Sequence, residues 1–175
     1  MKTSGEWYIA EWDQVPTEDI DDLLNIHREI EENINTSAKP YWAIHDDNLI
    51  LTSGLEEIAK RSLGYYAGSV TNDRFRLGSA NTPTPLPTQT DLVAPIRDVH
   101  ITNRSLLGTT ERYFTTIARS ATHTNTIGEF GLLSSYVSTR VPTRVVMSRL
   151  VVNPRFDLLV GRTYTIMTTV THSAG

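Results

Sequence analysis

The last third of the chain constrains the fold most. Residues 162–171, RTYTIMTTVT, set Tyr164, Ile166 and Val170 against Thr163, Thr165, Thr169 and Thr171. That two-residue period is what a pleated strand with one buried face requires. Upstream, RVVMSRLVV at 144–152 and the glycine-punctuated IGEFGLL at 127–133 read as further β segments. No nucleophile, ligand cluster or phosphate loop lies in this cassette, which implies a sheet made for stable assembly.

The β pattern begins at Tyr65, where short runs rich in Thr, Val, Ile, Tyr and Phe are separated by Gly, Pro and Asn. Threonine contributes 24 of the 175 residues, a usage that favours half-exposed pleated surfaces. Strands are predicted at 75–77, 96–102, 112–120, 126–133, 144–152 and 162–171. Gly128 and Gly131 are expected to permit a bulge or a positive φ before Leu132 and Leu133 return to the core. Glu129, between them, is either exposed or paired with an arginine such as Arg140 or Arg144. The segment LGSANTPTPLPTQTDL carries Pro83, Pro85 and Pro87, favours an extended polyproline conformation and is expected to be an exposed loop or arm.

Ahead of the β region, TEDIDDLLNIHREIEENI places Ile20, Leu23, Leu24, His27, Ile30 and Ile34 at helical spacing, with Glu18 and Asp19 in the first turn. Its single apolar stripe must pack on the domain, on a symmetry mate or on another chain. Trp7, Tyr8 and Trp12 precede the helix and Tyr41 and Trp42 follow it, an aromatic bracket for core or interface. A second, short helix is signalled by the capping-box pattern that starts at Ser53, with Leu55, Ile58, Ala59 and Leu63 on one face and Gly64 as its stop. The fold class that results is mainly β: an antiparallel β-sandwich with an N-terminal amphipathic helix and one further short helix.

Charge is partitioned along the chain. Residues 1–57 hold 14 acidic and 3 basic side chains, residues 58–175 hold 6 and 13. The basic residues are nearly all arginines spread singly along strand-like segments, which argues against a polyphosphate footprint and for bidentate pairing with carboxylates at protein interfaces. Direct nucleic-acid contact is therefore not expected. The chain has no cysteine, which removes disulfide and thiolate-zinc chemistry. The first residues lack the basic and apolar regions of a signal peptide, and no apolar run approaches the ~20 residues that span a bilayer, so no membrane association is expected.

Motifs for catalysis or cofactor binding are missing. Neither a dinucleotide fingerprint nor a P-loop occurs. His45 to Asn48 (HDDN) offers an imidazole and two carboxylates without further ligands at metal spacing, and His27 with Glu31 forms an i, i+4 pair without a third ligand. His123 near Ser120 has no nucleophile elbow and no acid partner in view. The expectation is a protein that is not an enzyme, with no catalytic residue, cofactor or metal. An enzyme with a scattered site would draw on His45, Asp46 or His123.

The order of motifs resembles small virion structural proteins of tailed bacteriophages. The resemblance runs over residues 48–171: a short helix after NLILTSGL, a strand ending in RLGS, a proline- and threonine-rich loop to Asp91 and Leu92, then RYFTTIAR, IGEFGLL, VVMSRLVVNP and LLVGRTYTIMTTV. It implies a self-associating, non-enzymatic component of head, neck or tail that acts in the virion after synthesis in the host cytoplasm, with itself and other virion proteins as partners. Residues 1–47 are read as an acidic helical segment or arm and 48–175 as the β-sandwich domain. Expected interchain contacts are Trp7, Trp12, Asp21, Asp22, Glu31, Glu32, Pro83, Pro85 and Pro87. The alternative is a carbohydrate- or peptide-binding β-sandwich module.

Overall fold

A computed structural model describes residues 2–34, 37–47, 49–64, 70–82, 84–119, 126–137 and 142–173. Twelve elements follow in order: β1 Lys2–Trp12, α1 Ile20–Glu31, β2 Trp42–Asp47, β3 Leu49–Ile50, α2 Thr52–Ser62, β4 Val70–Gly78, β5 Pro95–His100, β6 Asn103–Leu107, β7 Thr110–Ala118, β8 Thr126–Val137, β9 Pro142–Asp157 and β10 Thr163–Ser173. They form two five-stranded sheets, β2-β1-β10-β7-β6 and β3-β9-β8-β4-β5, in which every pair is antiparallel. β2 leads into β3 and β5 into β6, so on each side of the sandwich an edge strand of one sheet continues as an edge strand of the other.

All six predicted strands are present, several of them longer than expected. β1, β2, β3 and β6 were not predicted. β1 matters most, because it lies inside the first sheet between β2 and β10, paired with β10 from Lys2↔Ser173 to Trp12↔Thr163. Trp7 is fully buried against Phe75 and Phe130 of the opposite sheet, at centroid distances of 5.5 and 6.1 Å. On the other face of β1, Trp12 is buried and its indole N–H donates to Thr165 Oγ1 at 2.9 Å. Residues 1–47, expected to be an acidic helical segment or arm, do carry a helix, α1, but β1 places Trp7 and Trp12 in the chain's own core instead of the expected interchain contacts. Large aromatic rings gain most by leaving water, each worth about 2 kcal/mol, and β1 takes two of them into its own core.

The helix α1 explains why both faces of β1 are apolar. Asp19 caps it, Oδ1 accepting from the backbone N–H of Asp21 and Asp22 at 2.9 and 3.1 Å. Ile20, Leu23 and His27 are its buried residues, and the two isoleucine and leucine side chains join Tyr8, Ala10, Trp12, Phe114 and Met167 in a cluster on the outer face of the first sheet. The predicted amphipathic stripe is thus spent on the chain's own sheet.

The second helix forms where predicted but without its capping box. Its N-cap position is Leu51, which makes no side-chain cap, and Ser53 Oγ donates to the carbonyl of Val146 at 2.9 Å. β3 pairs with only Arg149 and Ser148 of β9, and α2 continues along β9 where β3 stops. Gly54 makes the approach possible, because a Cβ there would collide with the backbone of Met147. Gly64, at φ +66°, takes the left-handed conformation that ends the helix.

The proline-rich segment covers the outer face of the second sheet. Leu92 lies over Gly131, where a Cβ would come within 3.2 Å of its Cδ2, and Asp91 pairs with Arg76 of β4 at 2.8 Å. Most of its described residues are exposed, as expected of a loop, while contacts of Gln89, Asp91 and Leu92 tie it to the sheet beneath. The expected bulge at Gly128 is present as a register shift between Ile127 and Glu129, while neither Gly128 nor Gly131 has a positive φ.

Candidate functional site

Four of the expected contact residues are engaged within the chain. Trp7 and Trp12 are core, Asp21 forms an ion pair with Arg112 of β7, and Glu31 pairs with His45 of β2. Asp22 and Glu32 face solvent on α1 and at its C-terminal cap. Pro83 lies outside the described residues. Pro85 borders a groove, and Pro87 is exposed while its carbonyl accepts from Thr52 N–H at 2.7 Å.

Glu129 is neither exposed nor paired with Arg144, which binds Asp98 instead. Its partner is Arg149 of β9, two positions from its direct neighbour Val151 in the β8–β9 register. Arg140 lies outside the described residues.

The histidines divide by environment. His27 is buried under α1, edge-on to Tyr8 at 5.4 Å, and burial reinforced by the charge of His45 lowers its pKa to about 4. His45 stacks on Tyr8 at 4.3 Å and lies between Glu6 and Glu31. Burial and a hydrogen bond to Glu6 raise the pKa of Tyr8. This cluster joins α1 to the edge of the first sheet. Asp46 and Asp47 line the groove described below, and Asn48 of HDDN lies outside the described residues. Among the described residues no group of three or more His, Cys, Asp or Glu side chains is arranged to hold a metal, and no helix is long and apolar enough to cross a membrane. Ser120 and His123 lie outside the described residues.

The most receptive surface is the cleft between β2 and β9. Between Phe156 and Val151, β9 has four residues to one on β8, and that excess lifts it away from its neighbour. The result is an apolar slot of about 320 Å³ walled by Trp42, Ile44, Val152, Pro154 and Phe156. Trp42 packs on Phe156 at 4.5 Å, and its indole N–H donates to Glu11 Oε2 at 2.6 Å, so the ring is held at a fixed angle. Arg162 lies 3.5 Å over the ring of Tyr41 in a cation–π contact and pairs with the same Glu11. Past Asn153 the slot opens into a more polar groove of about 520 Å³ bordered by Asp46, Asp47, Thr84 and Pro85. Such a surface can stack a flat apolar group at one end and accept hydrogen bonds at the other. Trp42 was visible in the sequence as part of the aromatic bracket. Phe156 was not, because only the bulge in β9 turns it toward Trp42.

The second receptive feature is the edge of the first sheet. Every residue of β6 is exposed, including Leu106 at 69% and Leu107 at 62% beside the turn at Gly108. No family model matches the chain, and neither a curated protein nor a solved structure matches it at a significant level.

Proposed function

We propose that the protein is a non-enzymatic, self-associating structural component of a tailed-phage particle, placed at the capsid surface, neck or tail. The observation that carries this reading is the contrast between covered faces and a bare edge. α1 covers the outer face of the first sheet and the proline-rich segment that of the second, whereas β6 is exposed throughout and presents two leucines. Sandwiches that remain apart commonly blunt such edges with prolines, bulges or lysines. β6 has none of these, and Arg104 is its one charge. In a symmetric particle many modest edge contacts add, and the sequence resemblance points the same way.

Sedimentation velocity with negative-stain imaging tests the reading. A ring or other closed oligomer is expected, and Leu106→Asp with Leu107→Asp should return it to monomer. A wild-type protein that stays monomeric at high concentration would count against it. Charge reversal at Asp22 and Glu32 asks in the same assay whether the acidic helix joins a neighbour.

The Trp42–Phe156 slot favours a second reading, a module that binds a peptide or a carbohydrate. Wild type that binds a glycan or peptide array, with the signal lost in Trp42→Ala, would support it; an array without hits would remove it.

A further inference from the structure

Arg97 and Arg119 come from different sheets and approach each other where β6 is too short to cover β7. β6 pairs with β7 only as far as Phe114, so among the described residues no strand of the first sheet flanks residues 115–118 on that side. The hydroxyl of Thr115 instead crosses to the carbonyl of His100 on β5, at 2.7 Å. Arg97 is opposite Leu77 in the β4–β5 register, as Val99 is opposite Phe75, and Phe75 and Leu77 are core residues. Arg97 therefore shares the inward-facing side of β5. Arg119 follows directly on β7, its backbone N–H donating to the carbonyl of Arg162 at 3.4 Å.

Both side chains carry unmet demands. The Nε of Arg97 and the Nε of Arg119 are shielded from solvent and have no hydrogen-bond partner among the described residues. Three arginines of the second sheet have carboxylates: Arg76 has Asp91 and Asp98, Arg144 has Asp98 and Arg149 has Glu129. Residues 120–125, which continue from Arg119, include no carboxylate in their sequence SATHTN. Burial, and then the positive charge of Arg119, hold the pKa of Arg97 below the usual arginine value. Two half-buried cations that repel each other and keep unsatisfied donors are an unfavourable arrangement unless an anion completes it.

We infer that Arg97 and Arg119 form a site for one oxyanion, a carboxylate or a phosphate group, at the β5–β7 edge. A guanidinium fork can donate two parallel hydrogen bonds to a pair of oxygens on either group. The oxyanion has two possible sources, a free anion or an acidic side chain of a second copy of this chain. The second source rests on the assembly reading above, and the first does not.

The test compares wild type, Arg97→Gln and Arg119→Gln by thermal unfolding in chloride, acetate and inorganic phosphate at equal ionic strength, with sedimentation velocity alongside. A free oxyanion should raise the wild-type Tm by about 3 °C at tenfold over its Kd, and neither variant should respond. In chloride the variants should melt no lower than wild type, because removing one cation relieves the repulsion; a merely structural arginine would melt lower. If phosphate and acetate have no effect but wild type self-associates and both variants do not, the occupant is a carboxylate of the second copy. Should either variant fold poorly, the Nε–H resonances of Arg97 and Arg119 in wild type, followed during phosphate titration and across protein concentration, replace it. Wild type indifferent to both anions, with association and resonances unchanged, overturns the site, whatever the fate of the edge contact through Leu106 and Leu107.

Discussion

Glu129 and Arg149 form an ion pair in which both side chains are wholly withdrawn from water, with Nη2 and Oε2 2.8 Å apart. The pair also fastens the proline-rich segment to the second sheet. Glu129 accepts from the backbone N–H of Val93 at 3.0 Å and Ala94 at 2.7 Å, while Arg149 donates to Gln89 Oε1 at 2.7 Å. Gly78 leaves room for the carboxylate, since a Cβ there would strike it. A buried pair repays its desolvation only when such further bonds are made, and here three residues of the covering segment make them.

Arg149→Met should destabilise the protein by about 3–5 kcal/mol, because it leaves the Glu129 charge buried without a counter-ion. The same variant should cleave faster than wild type between residues 84 and 94 under limited proteolysis. A loss of stability below about 1 kcal/mol in urea denaturation would show that the pair is not the clasp described.

Gly54→Ala should cost about 1–3 kcal/mol, as the added methyl meets the Met147 backbone and must push α2 off β9. Substituting Gly108, which has open space around it but φ +59°, strains only its own backbone and should cost about 1 kcal/mol. Equal effects in the two variants would argue against the close approach of α2.

His27 gives stability a defined pH dependence. Its pKa is about 4 in the folded protein against 6.5 ordinarily, so between those values the unfolded chain binds the extra proton. Its contribution is complete above pH 6.5 and declines as pH falls toward 4, by about 3 kcal/mol over the window. The His27→Leu variant should lose that part of the slope when urea midpoints are compared at pH 7 and pH 4.5. Parallel slopes in the two proteins would assign the acid sensitivity to other groups.

Deleting residues 2–12 should abolish folding, because β1 supplies Trp7 and Ile9 to the interior and bridges β2 and β10. Near-ultraviolet circular dichroism is the measurement. A truncated protein with native-like aromatic signal would restore the idea of a dispensable arm.

The sequence was most legible where one face of an element meets water. Alternation of Thr and apolar residues identified β10, and a 3.6-residue stripe identified α1 within three residues of its ends. β1 escaped because α1 covers one of its faces and the opposite sheet the other, so Trp7, Tyr8, Ile9, Ala10 and Trp12 run on without alternation. β6 escaped for the opposite reason, since an edge strand exposed on both faces carries no pattern at all. The candidate site was only partly visible: Trp42 stood out as an aromatic, while Phe156, Leu106 and the Arg97–Arg119 pair had no local signal.

By itself the sequence determined both helices, six of the ten described strands and the order in which they follow, because hydrophobic period is a property of neighbouring residues. Tertiary structure alone decided which residues meet. Register and bulge set Glu129 against Arg149 rather than Arg144, turned the acidic helix onto its own sheet, and left β6 and the two arginines at the edges. Those outcomes depend on pairings between residues far apart in the chain, which no local period encodes.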